Sequence, residues 1–158
     1  MKNLFKQVSK TSGHATLPDY DVVIEKNESS LMIDFENSIL RISWKGIVTA
    51  ETAGFLLASA LNEVQSSNIS YVLLDRVQLE VFTKGSRLWI KEDFLKSKVK
   101  VLCDTLNIKK VASLKPKTSM GSIYAHLISS AIKIVFPTLP LAEFESERQA
   151  LNWFQVND

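Results

Sequence analysis

Polar and apolar side chains trade places at every second position through much of the stretch from Val22 to Trp44. Leu31, Ile33 and Phe35 alternate with Met32, Asp34 and Glu36, and Leu40, Ile42 and Trp44 alternate with Arg41 and Ser43. A period of two marks strands buried on one face. Asn27 with Glu28, and Asn37, interrupt the pattern where hairpin turns belong, so three antiparallel strands in a meander are predicted.

The period then changes. Ala53, Leu56, Leu57, Ala60, Leu61 and Val64 keep to one face of a helix, with Thr49 as its N-cap and Glu51 in its first turn. Ile69 to Leu74 is a nearly unbroken apolar run closed by Asp75, as in a strand buried on both faces. Val77, Leu79 and Val81 extend it as a further short strand or connection. A second helix is predicted from about Ser86 to Leu106, an inner strand at Ile108 to Leu114, and a third helix from Ser119 to Phe136, stopped by Pro137 and Pro140. A short strand follows at Leu141 to Phe144. Ser146 with Gln149 three residues later is a capping box opening the last helix. Strands alternating with helices require parallel crossovers after the antiparallel opening. The predicted fold is one α/β domain over residues 20–158, a mixed sheet flanked by about four helices. Residues 1–19, with Ser9, Thr11, Ser12, Gly13 and Pro18 and no periodicity, read as a flexible leader.

The second helix carries an oddity. At about 100° per residue, Leu88, Leu95, Val99, Leu102 and Leu106 form one apolar stripe, while Ile90, Phe94 and Val101 gather on the opposite side. Two readings fit. The second stripe is an interface, with a homodimer through Ile90, Phe94 and Val101 as the simplest form; or the helix breaks near Lys96 to Lys100 and turns those side chains inward.

Certain residues, taken in order, resemble the SpoIIAA-like branch of the STAS superfamily, the anti-sigma-factor antagonist fold. They are Trp44-Lys45-Gly46 with Thr49, Val72-Leu73-Leu74-Asp75, Trp89-Ile90, Lys109-Lys110-Val111-Ala112, and Phe144 followed by Ala150-Leu151-Asn152-Trp153-Phe154. The resemblance implies a non-catalytic regulatory or protein-interaction module. A more distant similarity to CRAL-TRIO folds implies the alternative, a module binding a small apolar ligand or lipid. Antagonists of the first kind are switched at a serine following an aspartate; here Arg76 and Val77 follow Asp75, so the phosphoswitch does not carry over.

Composition narrows the chemistry. At 158 residues and 46% hydrophobic, the chain can bury a full core without staples. One cysteine, Cys103, and two histidines, His14 and His126, provide neither a disulfide framework nor a closed zinc site. No metal or cofactor is expected. Neither a secretory h-region nor a membrane span is legible, so a cytoplasmic protein is expected. The net charge is +2, yet residues 84–117 hold ten Lys or Arg against three acids. That segment reads as a solvated face or as an attractor for an anionic partner. It lacks interleaved aromatics, so nucleic acid is not the expected partner.

Candidate sites follow. Asp75, at the expected end of the central strand, could orient a ligand or cap its own turn. Thr83 and Ser86 flank a helix N-terminus, where an anion could sit or a cap is required. No catalytic residue is assigned: no serine has a nucleophile-elbow setting, and His126 falls on a polar helix face. Ile123, Tyr124, Leu127, Ile128 and Phe136 could line an apolar cavity or simply be core. The expected partner is a protein or a second copy of the chain, with a small apolar ligand as the other possibility.

Overall fold

A computed structural model describes residues 18–100 and 105–157. Six strands form one sheet in the order of the chain: β1 (Asp21–Lys26), β2 (Ser29–Asp34), β3 (Ile39–Val48), β4 (Tyr71–Phe82), β5 (Lys110–Leu114) and β6 (Leu141–Phe144). The first three pair antiparallel, and β3 through β6 are parallel. This is the predicted mixed sheet, with the central strand lying between β3 and β5.

Local chemistry explains the turns. Asn27 and Glu28 both adopt positive φ, 50° and 65°, the backbone that a two-residue hairpin with native strand twist requires. Before β3, the Asp34 carboxylate accepts from the backbone N–H of Asn37 at 3.0 Å. α1 (Ala50–Ser66) starts on the Thr49 hydroxyl, which accepts from Thr52 N–H. α3 (Ser119–Val135) starts on Thr118, and α4 (Glu147–Gln155) on the predicted Ser146–Gln149 capping box. At Gly121 the first turn of α3 presses on β4: a Cβ there would lie 2.5 Å from the Leu79 carbonyl oxygen.

Strand order dictates layering. Parallel crossovers are right-handed, so successive crossovers stepping the same way across a sheet leave their helices on one face. α1, the helix after β4, and α3 therefore share a face, over a core that includes Leu40, Ile42, Trp44, Leu74 and Val111. Among the described residues, α4 covers the opposite face, over Ile39, Leu73, Ala112 and Leu114, with Tyr20 packed beside it.

Two expectations change. β4 is one strand of twelve residues, so Asp75 lies in its interior. Pairing slips between Ser43–Asp75 and Lys45–Gln78, which puts an extra residue into β4 there. Such a bulge re-phases side chains, and Val77 accordingly packs with the α4 face while Leu79 is in the core opposite.

The second change concerns the helix after β4. α2 (Lys84–Leu88) continues into a π-helical segment, Trp89–Val99, whose wider turn is marked by the Lys100 N–H donating to the Leu95 carbonyl. Ile90, Phe94, Leu95 and Val99 recur at a spacing between four and five. Two stripes at α-helical pitch become a single buried stripe at π pitch: Ile90 is 3% exposed, Phe94 8%, Leu95 5% and Val99 6%. The dimer face expected of Ile90 and Phe94 is therefore interior to the subunit, because the helix widens; Val101 and Cys103 lie outside the described residues. Leu88, expected to face the sheet, is exposed instead.

Phe94→Glu is expected to unfold the protein, since an unpaired carboxylate would enter the core. Phe94→Ala should cost about 3–5 kcal/mol in chemical denaturation. A folded Phe94→Glu protein with wild-type circular dichroism would contradict this packing.

Candidate functional site

The crowded face of the sheet holds a cavity of about 190 Å³. Its floor is β3, β4 and β5, through Leu40, Ile42, Trp44, Leu74 and Val111. Its walls are α1 (Leu57, Ala60, Leu61, Val64), the π segment (Ile90, Phe94, Leu95, Val99) and α3 (Ile128, Ile132), closed by Phe136 and Leu139. All four inward residues of the π segment take part, so the widened helix builds one wall. Trp44 packs edge-on against Phe82, centroids 5.5 Å apart, which fixes the indole at the cavity floor.

Among the described residues, one charged side chain lines this space. Arg76 is 1% exposed. Its Nη1 donates to the Ala125 carbonyl at 2.8 Å and to Ser129 Oγ at 3.0 Å; its Nη2 donates to Ser113 Oγ at 2.7 Å and Glu143 Oε2 at 3.0 Å. The guanidinium thereby ties β4 to β5, β6 and α3. Burial pulls its pKa below the ordinary value, and the Glu143 carboxylate opposes that shift. Nε has no acceptor among the described residues. Strand parity places Arg76 in phase with Val72 and Leu74 on the core face, a signal that a strand expected to end at Asp75 leaves out.

The expected site residues do not converge. Asp75 points to the α4 face. Its carboxylate accepts from Arg41 Nη2 at 2.6 Å, Ser43 Oγ at 2.9 Å and its own strand's Val77 N–H at 3.1 Å. Arg41 also reaches Glu147 at 3.2 Å, clamping the first turn of α4 to the sheet. Thr83 and Ser86 form a cap at the far end of β4: Thr83 Oγ1 accepts from Ser86 N–H at 3.2 Å, and Ser86 Oγ donates back to the Thr83 carbonyl at 2.9 Å. Ser86 is fully buried. These are structural roles, with Asp75 holding its own bulge and Thr83–Ser86 satisfying a helix start. His126 is exposed on α3, and of the residues suggested for a cavity, Ile128 and Phe136 line it while Ile123 and Leu127 face outward.

The basic segment also divides. Lys84, Lys91, Lys96, Lys98, Lys100, Lys109, Lys115 and Lys117 are exposed. Lys110 is buried and its Nζ donates to the carbonyls of Trp153 and Val156, a cation capping the C-terminus of α4. Among the described residues, no three His, Cys, Asp or Glu side chains gather where a metal could bind, and no helix is long and apolar enough to cross a membrane.

No family model and no curated protein matches the chain. Among solved structures, the anti-sigma factor antagonist SpoIIAA in its unphosphorylated form is similar in fold, with a TM-score of 0.49 and 9% sequence identity over 88% of this chain and 100% of that one. Identity this low assigns no role to any residue.

On the α4 face, the Tyr20 ring lies against the Arg41 guanidinium at 5.2 Å. Burial first, and then the negative charge of Glu147, push the phenol's pKa above its ordinary value. The unfolded chain would ionise Tyr20 near pH 10 while the folded one resists. Its contribution is intact below pH 10 and is lost as pH rises toward the folded value. Tyr20→Phe should therefore lose less stability than wild type between pH 9 and 11 in denaturant titrations; equal losses would remove Tyr20 from this account.

Proposed function

We propose that this protein is a non-catalytic binding module that takes a small apolar molecule in the cavity between the sheet, α1, the π segment and α3. The single observation that carries the reading is the size and lining of that cavity. Interiors are normally packed with few voids larger than a water molecule. About 190 Å³ of apolar-lined space between the sheet and its helices is far more than a packed interior leaves. An engineered apolar cavity of about 150 Å³ takes benzene, so the space here suits a molecule of that size or somewhat larger.

Ala60 sits in the wall of the cavity and is 4% exposed. Ala60→Leu would push a larger side chain into the space. The expected outcome is a Tm raised by about 2–6 °C without ligand, together with loss of binding of the apolar fluorophore 1-aminoanthracene, which the wild type should bind with 1:1 stoichiometry. Failure of the wild type to bind any small apolar probe would end this reading.

A second reading, a regulatory module working through a protein partner, has one observation in its favour. Met120, Ile123, Leu127 and Ile134 on the outer side of α3 are between 47% and 72% exposed. Contiguous exposed apolar surface is a common mark of an interface. Self-association is the form most readily measured. If it uses this face, Ile123→Glu with Leu127→Glu should lower the sedimentation mass at high micromolar concentration while leaving 1-aminoanthracene binding intact. A wild type that is monomeric under those conditions would exclude the homodimer.

A further inference from the structure

Resting on the ligand reading, we propose that the outer side of α3 docks on an anionic lipid bilayer and holds the mouth of the cavity against it. α3 is apolar on two sides. Gly121, Ala125, Ile128 and Ala131 are buried in the fold. At about 100° per residue, Met120, Ile123, Leu127 and Ile134 make a second stripe about 60° wide, and they are 51%, 56%, 47% and 72% exposed. From Met120 to Ile134 the stripe runs about 21 Å, at about 1.5 Å per residue. It is straight and convex, a shape suited to lying on a surface.

The charge around the stripe selects the surface. α3 contains Lys133 and no acid, and Lys117 stands just before its Thr118 cap. At helical pitch Lys133 flanks the stripe on one side. On the other side the Arg87 guanidinium lies 4.9 Å from the Tyr124 ring, so α2 runs alongside. Residues 84–100, which span α2 and the π segment, hold six Lys or Arg against Glu92 and Asp93. Exposed apolar side chains bordered by cations are the pattern of a helix lying in the interface of an anionic membrane. A two-fold contact between copies would instead set the same cations against each other, which is unfavourable.

The position of the mouth ties this docking to the ligand. At the cavity floor Leu40 and Trp44 are buried, whereas Leu61, Val64, Phe136 and Leu139 are partly exposed. The opening therefore lies among these four, at the end of α3. Phe136 follows the last residue of α3, and Ile134, the most exposed member of the stripe, is two residues before it. With the stripe among the lipid headgroups, the mouth lies at the bilayer. An apolar molecule then passes between lipid and cavity without the cost of entering water.

The test is flotation of the full chain with vesicles, one set of phosphatidylcholine alone and one of phosphatidylcholine and phosphatidylglycerol in a two-to-one ratio. Wild type is expected to partition onto the anionic vesicles about tenfold or more above the neutral ones, and to leave them as salt is raised. Ile123→Glu with Leu127→Glu should lower that partitioning at least about tenfold, and Lys133→Glu by about tenfold, both with 1-aminoanthracene affinity unchanged. Where the double variant does not fold, Lys133→Glu decides. A wild type that binds 1-aminoanthracene but floats with neither vesicle overturns the inference and leaves the ligand reading standing. Flotation that both variants retain overturns it as well, since another surface is then in use. Should wild type float with neither vesicle yet sediment as a dimer that the double variant dissociates, the face belongs to a second copy and the inference falls. Flotation lost in the variants, from a wild type that takes up no 1-aminoanthracene, would uphold the docking face and end the ligand reading alone.

Discussion

Everything in this molecule follows from a sheet whose strands lie side by side in the order they leave the ribosome. Each parallel step from β3 to β6 moves the same way, and right-handed crossing then allows the connecting helices only one side. Among the described residues, three helical elements crowd that side, and one nine-residue helix serves the other. The crowded side has to be closed by helices of unequal length. The middle one, in its π-helical stretch, turns four residues toward the sheet and encloses a space between them.

Buried cations hold the two sides together, and strand parity sets which side each serves. Asp75 and Arg76 are neighbours on β4 yet face opposite ways. Asp75 engages Arg41 and, through it, the first turn of α4. Arg76 engages β5, β6 and α3 on the other side. Lys110 on β5 then fastens the far end of α4 through two carbonyls. Removing a partner from such buried pairs is far more damaging than the net worth of the pair, because the remaining charge is stranded. The pair at residues 75 and 76 is the point where both layers are pinned to one strand.

Much of this could be read from the chain. Alternation located β2 and β3, helical periodicity located α1, and the Ser146–Gln149 box located α4 almost to the residue. The positions that resisted share one cause: they break the periods on which such reading relies. In the π segment, Leu95 and Val99 fall opposite Ile90 and Phe94 at α-helical pitch and beside them at the wider one, which produced a false outer stripe. In β4 the extra residue after Asp75 makes one strand look like two, while Arg76 keeps the phase of Val72 and Leu74. Asp75, Thr83 and Ser86, expected as candidate ligand or switch positions, take part in local backbone bonding. The cavity itself depends on how three helices meet, a distance that no single stretch of sequence encodes.

The cavity also makes the protein's volume a variable of its fold. Unfolding abolishes internal void space, so the partial molar volume of a chain falls when it opens, and hydrostatic pressure favours the open form in proportion. A domain of this size with about 190 Å³ of free space on one side of its sheet, and about 100 Å³ beside α4 on the other, is mechanically softer on the first. A molecule seated within would remove most of that difference. Compressibility, measured by ultrasound or by pressure-dependent spectra, is thus a property of this fold that would respond to any molecule seated there.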